Sequence, residues 1–384
     1  MTELSLYVHV PFCAARCPYC DFATASERSP LRPSYLRTLA HELELRGAEL
    51  GRPRVGTLYF GGGTPSLLSA SEIDALAVAL RAAFELRPQE VSLEANPATL
   101  DRARIEAFRD AFGLTRVSLG AQSFSGRGLK ALARTHAVGD ISRSAALVRD
   151  AGLSLNLDLI LGWPGQDRET WGEDLRAALA LSPDHLSCYP LTLLHEAEPA
   201  VANWPGAGWP ALERWRARAA ASQPDDDAIA DMYVDAEELL DAAGFVHYEI
   251  ANWARPGRES RHNLVYWHDG EWLGVGLGAH SHLGGRRFWN DARLAVYLEQ
   301  WSGALPATDA REGDVAETAM LALRLRDGLG LATLARRYDA NAAEFVRTRL
   351  HGLDEAGLLA WSGDRVTLTR RGRLLSNEVF VRLV

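Results

Sequence analysis

Short runs of Val, Leu and Ile that end in polar or Gly residues recur about every 30 residues through the first half of the chain: LSLYVHV, VGTLYFGG, VSLEANP, RVSLGAQS, LNLDLILG and HLSCYPLT. Each has the length and content of a strand. Between them the apolar spacing turns helical, over Ser34–Leu50, Ser71–Phe84, Asp101–Phe112, Asp140–Ala151 and Glu169–Leu181. Ser71 followed by Asp74 reads as an N-cap with an acid in the first turn. Six such alternations predict parallel strands joined by right-handed crossovers, in a doubly wound sheet or a full or partial barrel. Either architecture collects function at the C-terminal ends of the strands.

Beyond the sixth strand the pattern loosens. The stretch EAEPAVANWPGAGWPALERW reads as an irregular excursion, and PDDDAIADMYVDAEELLDAAG as a capped helix. GFVHYEIANWARPG, RHNLVYWHDGEWLGVGLGAHSH and RRFWN read as strands and turns that extend the sheet. From about Arg311 the texture becomes helix, turn, helix (Val315–Arg326, Leu331–Tyr338, Asn341–Ala356), followed by LLAWSGDRVTLT and a last helix, an order that suggests a small winged-helix-like unit. The predicted division is therefore 1–225, a sheet extension over 226–310, and a helical C-terminal part over 311–384.

Composition narrows the function. The chain has 384 residues, enough for one large domain and a smaller one. No apolar run approaches the ~20 residues of a membrane span, and MTELSLYVHVPF has no basic region ahead of its apolar stretch. The expectation is a soluble, cytoplasmic protein without a signal peptide. Lys and Arg number 41 against 50 Asp and Glu, a net charge of -9 with the basic residues scattered, which argues against a nucleic-acid partner.

Charge inside the strands is the first chemical signal. Gly61–Thr64, Glu94, Gln122 and Asp158 lie at predicted strand ends, where a buried parallel strand has little use for a charge unless it meets a partner or a ligand. The second is cysteine placement. Of four cysteines, Cys13, Cys17 and Cys20 fall in one C-x3-C-x2-C loop directly after the first strand, whereas Cys188 stands alone and reads as a small buried hydrophobe. Three thiolates at that spacing can hold three irons of a cubane and leave the fourth open. A structural zinc site would need one more ligand, for which His9 is the nearest candidate.

The cysteine loop, with the aromatic Tyr19 before its last cysteine, resembles that of the radical S-adenosylmethionine superfamily. The strings YVHVPFCAARCPYCDF, YFGGGTPS, LEANP, SLGAQSF, LARTH and LDLILGWPGQ resemble, in order and spacing, the oxygen-independent coproporphyrinogen III oxidase-like family. That resemblance implies a partial barrel of six β/α units with extra strands and a helical C-terminal domain. It implies a [4Fe-4S] cluster on Cys13, Cys17 and Cys20, with S-adenosylmethionine on its open iron. By the same resemblance Tyr7 and Tyr19 sit near the cluster, and Gly62, Gly63 and Thr64 bind the methionine amino end. Glu94, Gln122, Arg134 and Asp158 hold its carboxylate and ribose.

Two departures from the oxidases stand out. Phe22 occupies the position of their fourth loop cysteine, and the chain begins a few residues before its first strand, where the oxidases carry an N-terminal arm. Both resemble the haem-chaperone branch of the family, as does an H-N-x-x-Y-W motif at His262, Asn263, Tyr266 and Trp267. The branch implies haem as cargo, with His262 as an axial ligand and the aromatics on the porphyrin face. His280 and His282 are weaker alternatives. The implied partners are haem, client proteins that accept it and, at most, a transient membrane contact, and the oligomeric state is not written in the sequence. The leading expectation is a chaperone rather than an enzyme; the alternative is decarboxylation of coproporphyrinogen propionates.

Overall fold

A computed structural model of the chain describes residues 3–193, 203–204, 209–306 and 310–384. The six predicted runs are strands β1 (Leu4–Val10), β4 (Arg54–Gly62), β5 (Glu85–Ala95), β6 (Arg116–Gln122), β7 (Ser154–Leu161) and β8 (His185–Pro190), and they pair in that order, all parallel. Two short strands, β2 (Phe12–Cys13) and β3 (Ala25–Ser26), pair with each other and close the cysteine loop at its base. The sheet is longer than the six units. β9 (Val246–Glu249) and β10 (Asn252–Ala254) add antiparallel beyond β8, while β11 (Trp272–Val275) adds parallel to β1. Outside β11, strands β12 (His280–Leu283), β13 (Arg286–Trp289) and β14 (Ala310–Glu312) follow, giving twelve strands in an open, partial-barrel order.

Each central strand carries two unlike faces. Leu6 and Val8, Val91 and Leu93, Val117 and Leu119, and Leu155 and Leu157 are fully buried under the crossover helices. The alternate positions are polar: Glu90, Ser92 and Glu94 on β5, Arg116 and Ser118 on β6, Asn156 and Asp158 on β7, His185 and Ser187 on β8. Register aligns them, with Glu94 opposite Ser118, Ser118 opposite Asn156, and Asn156 opposite His185. Because side chains alternate across a sheet, aligned residues share one face, and here that face is the inside of the barrel. Cys188 lies on the apolar face, fully buried, as expected.

The helices follow the predicted order with local differences. The helix Ala70–Ala83 is capped by Ser69, not Ser71: Ser69 Oγ accepts from Glu72 N at 3.3 Å while the Glu72 carboxylate accepts from Ser69 N at 2.8 Å. That reciprocal pair satisfies two open amides, which Ser71 and Asp74 would not. The excursion predicted over 196–215 lies mostly outside the described residues, but from Trp209 it is helical, in Trp209–Ser222. The expected capped helix is Asp226–Ala242 behind Asp225. A helix that the sequence reading lacked, Leu294–Gln300, packs Tyr297 and Trp301 into the main core.

RHNLVYW, read as extended, is instead a helix over Arg261–Trp267. Ser260 Oγ accepts from Asn263 N at 3.3 Å, and the buried carboxylate of Glu90 accepts from Arg261 N at 3.2 Å and His262 N at 3.1 Å. A carboxylate at the open amides of a helix suits both hydrogen bonding and dipole. Arg116 Nε, 3.2 Å away, pairs with the same carboxylate.

The C-terminal part holds a second core built on Leu323, Leu334, Val346 and Val366. Helices Val315–Leu323, Leu331–Arg337 and Ala340–Arg349 stand with the antiparallel strands β15 (Leu329–Gly330), β16 (Leu359–Ser362) and β17 (Arg365–Leu368), a winged-helix-like arrangement. Buried Asp269 joins it to the sheet, pairing with Arg287, with His282 at 3.3 Å and with Arg337 at 2.9 Å, and accepting from the Thr318 hydroxyl.

Glu90→Ala should remove the helix-terminal acceptor and strand Arg116 as a buried charge without its carboxylate. Breaking one side of a buried pair costs ~3–5 kcal/mol, so urea denaturation should show a loss of that order. A loss under ~1 kcal/mol, the scale of an exposed pair, would show that Glu90 does not hold this helix.

Candidate functional site

The C-terminal ends of β4 to β8 open into a cavity of about 640 Å³. It is lined by Cys13, Cys17 and Cys20 with Tyr19, by Glu94, Ser118, Asn156 and Asp158, and by Gly62, Gly63, Thr64, Gln122 and Arg134. The eleven cluster and S-adenosylmethionine residues Cys13, Cys17, Tyr19, Cys20, Gly62, Gly63, Thr64, Glu94, Gln122, Arg134 and Asp158 thus share one cavity with Phe22 and Asn263, while Tyr7, His262, Tyr266 and Trp267 do not line it.

The cysteine loop is held from both sides. Its base is closed by Ala25 N to Pro11 O at 2.8 Å and Glu27 N to Cys13 O at 2.9 Å. The His9 ring ties Ala23 back to β1: Nε2 donates to Ala23 O at 2.8 Å, and Nδ1 accepts from the Tyr7 hydroxyl at 3.1 Å. Both nitrogens of His9 are therefore in use, which removes it as the fourth ligand of a zinc site. Tyr7 acts behind the loop, through His9, rather than at the cavity. Among the described residues, no three His, Cys, Asp or Glu side chains converge on one point as a single ion would require.

Each thiol has a neighbour or a reason to stay neutral. Thr64 Oγ1 lies 3.6 Å from Cys13 Sγ, and Arg134 Nη1 lies 3.2 Å from Cys17 Sγ and 3.5 Å from the Tyr19 hydroxyl. Burial pushes the Cys13 thiol up to about 11 and the Cys20 thiol up to about 12. Thiols so placed become thiolates only against strong positive charge, which is what bound iron supplies.

The acid end is built from the strands. Glu94 accepts from the Tyr59 hydroxyl at 2.9 Å and from Gly62 N at 3.0 Å. A Cβ on Gly61 would meet the rings of Tyr7 and Tyr59 at 2.8 and 2.9 Å and Glu94 Oε1 at 3.1 Å, and Gly62 has a φ of +112°, so this turn admits only glycine beside the carboxylate. Asp158 accepts from Ser118 Oγ and Asn156 Nδ2, both at 2.9 Å. Burial raises the pKa of both acids, that of Glu94 to about 7, with hydrogen bonds pulling each back down. Gln122 takes a left-handed φ of +66° at the end of β6, a costly conformation for a side chain other than glycine.

The donor set fits the implied group. Two carboxylates and nearby amides and hydroxyls line a cavity together with three thiols, and the buried Arg134 Nε has no partner among the described residues. A ligand with an amino group, a carboxylate and hydroxyls would satisfy them.

The motif at 262–267 is placed otherwise than expected. His262 is 1% exposed, with Nδ1 2.8 Å from Thr57 Oγ1 and Nε2 2.7 Å from the Tyr266 hydroxyl. Thr57 donates its own proton to Ser5 Oγ at 2.8 Å, so His262 Nδ1–H donates to Thr57 and Nε2 accepts from Tyr266. His262, the residue expected as an axial haem ligand, thus has both ring nitrogens engaged within the chain. Tyr266 packs edge-on against Trp272 at 4.8 Å, and Trp267 lies under the Arg324 guanidinium at 4.6 Å. Neither covers a cavity face. Of the weaker alternatives, His282 is buried with Nδ1 2.8 Å from Gly270 O, whereas His280 is exposed and stacks on Trp289 at 5.6 Å.

Comparison with known proteins places the chain in a family. Residues 7–178 match the radical SAM superfamily model and residues 310–375 the HemN C-terminal domain model. "Heme chaperone HemW" of Mycobacterium tuberculosis H37Rv is 41% identical over 97% of this chain and 93% of its own length. The chain belongs to the HemW family, within the radical SAM superfamily. "Heme chaperone HemW" of Bacillus subtilis is 32% identical over 98% of both chains, and that of Escherichia coli K12 is 40% identical over 73% of this chain and 70% of its own. In fold this chain is similar to coproporphyrinogen III oxidase (HemN) from Escherichia coli, with a TM-score of 0.82 at 24% identity over 99% of this chain and 90% of that one.

Several cavity residues escaped the sequence reading: Tyr59, Ser118, Asn156, Ser187 and Tyr189. Their signal was the period-two alternation of polar with apolar positions along each strand, which marks an interior face that is not a hydrocarbon core.

A raised carboxyl pKa in the folded state favours the protonated form, so its stabilising contribution is complete below about pH 4.5 and is lost as pH rises through about 7. Replacing Glu94 by Gln should therefore raise the urea midpoint of the cofactor-free protein at pH 8 and leave the gap much smaller at pH 5. Wild-type and variant curves that run parallel across that interval would contradict the burial of this charge.

Proposed function

We propose that this protein carries haem to acceptor proteins, using a radical S-adenosylmethionine site as a resident module rather than as a porphyrinogen decarboxylase. The observation that carries the reading is identity of 41% across 97% of the chain to a protein named as a heme chaperone. The cavity supports it, since three thiols, two half-buried carboxylates and a guanidinium line it.

In this reading Cys13, Cys17 and Cys20 hold three irons of a [4Fe-4S] cluster. Arg134, already on Cys17, compensates thiolate charge and presents its free Nε to a carboxylate. Glu94, backed by Tyr59 and the Gly62 amide, accepts from the amino end of S-adenosylmethionine beside Gly63 and Thr64, and Asp158 and Gln122 accept from the ribose. When bound, the cluster and S-adenosylmethionine supply one-electron chemistry. The chain binds and orients them and keeps water away.

Haem is the cargo. Phe22 and Tyr189 line the mouth of the same cavity and are 57% and 43% exposed, a rare placement for large aromatics and one that suits a flat apolar macrocycle. Cytoplasmic action and delivery to client proteins belong to the same proposal; no described helix is long and apolar enough to cross a membrane.

One anaerobic preparation tests the reading. Reconstituted protein should hold about four irons, bind haem stoichiometrically and pass it to an apo-acceptor, without consuming S-adenosylmethionine in proportion to added coproporphyrinogen III. The variant with all three loop cysteines changed to Ala should hold almost no iron. Turnover of coproporphyrinogen III, or full iron loading of that variant, would overturn the proposal.

A further inference from the structure

We infer that His262 is a positioning residue for the cofactor cavity, acting through its stack on Tyr59 to hold the phenol that orients Glu94. The inference rests on the site reading above and gives the HNLVYW segment a role that does not touch iron.

The geometry forms one continuous path. His262 stacks on Tyr59 with ring centres 5.0 Å apart and planes 29° apart, and Tyr59 donates to Glu94 at 2.9 Å. His262 is fixed at three points: ring Nδ1 on Thr57, ring Nε2 on Tyr266, and the backbone amide on Glu90. Thr57 and Tyr59 are two apart on β4, and Glu90 and Glu94 four apart on β5, so all four share the inner face. The short helix therefore bridges the two strands beneath the cavity, and its imidazole braces the ring next to the carboxylate. Such a brace matters because, among the described residues, the Tyr59 hydroxyl is the one side-chain donor on Glu94, and a phenol that swings away leaves the carboxylate held by a single backbone amide. Burial keeps the imidazole neutral, down to about 3, which preserves its donor and acceptor pattern across the working pH range.

A brace and an iron ligand respond oppositely to substitution. Losing a group that orients a binding side chain costs on the order of tenfold in affinity. In anaerobically reconstituted full-length protein, His262→Ala should weaken S-adenosylmethionine binding by about that factor in calorimetry. His262→Phe keeps a flat ring against Tyr59 and should restore affinity to near wild type, although it lowers the melting temperature by removing the acceptor of the Tyr266 hydroxyl and the donor to Thr57, which keeps only its bond to Ser5. Tyr59→Phe should weaken binding as much as His262→Ala, and the double variant no further, because the two act in series. The haem Soret band should be unchanged in His262→Phe. Wild-type affinity in His262→Ala, or a Soret band lost in both His262 variants with S-adenosylmethionine binding intact, would overturn the inference alone. Absence of S-adenosylmethionine binding by the reconstituted wild type would overturn the site reading and the inference together.

Discussion

Glu94 and Asp158 are carboxylates inside a parallel sheet, and much of the central structure is arranged to keep them there. An uncompensated charge in such a place is expensive, so the barrel surrounds each with donors: Tyr59 and the Gly62 amide on one, Ser118 and Asn156 on the other. Those donors must come from neighbouring strands at matching heights. The register of β4 through β8 provides that, and a one-residue slip would send the polar row into the apolar layer under the helices. The sheet is thus tied to its register by two layers at once, hydrocarbon outside and hydrogen bonds inside.

The same logic extends outward in shells. Behind Glu94 stands Tyr59, behind Tyr59 stands His262, and behind His262 stand Thr57, Tyr266 and Glu90. Behind the cysteines stands His9, with Tyr7 behind it. A cavity that must present thiols and carboxylates to a ligand in fixed positions cannot rely on exposed side chains with free rotamers. Burying the supports fixes them, and the cost of burial is offset where their polar atoms are paired, as in Tyr59, Thr57, His262 and His9. At the cavity that pairing is incomplete: Arg134 Nε and Arg16 Nε and Nη2 have no hydrogen-bond partner among the described residues, and Phe22 and Tyr189 are exposed, so these are groups that something outside the chain could engage.

Much of this was legible in the amino-acid order. Six short apolar runs with helical spacing between them specify a parallel β/α array, because strand and helix periods bury one face only in that arrangement. Cys13, Cys17 and Cys20 lie within one loop, so local chain length alone keeps them together. Glu94, Gln122 and Asp158 were conspicuous as polar residues at the ends of buried strands, and their sharing of one cavity follows from parallel strands having all their C-terminal ends on one side.

Tertiary structure decided what depends on contacts between distant segments. RHNLVYW became a helix because Ser260 precedes it and Glu90, 172 positions from His262 in sequence, supplies its terminal acceptor. His262 looked like a ligand because an imidazole beside aromatics is chemically able to be one; whether its lone pair is free depends on Tyr266 and, through Thr57, on a strand 205 residues away. The sequence determines which groups are available and which local elements carry them. Which of those groups are consumed by the protein's own hydrogen bonds, and which remain to bind something else, is settled only when the chain closes on itself, because a buried polar atom takes its partner from whatever segment the fold brings within 3 Å.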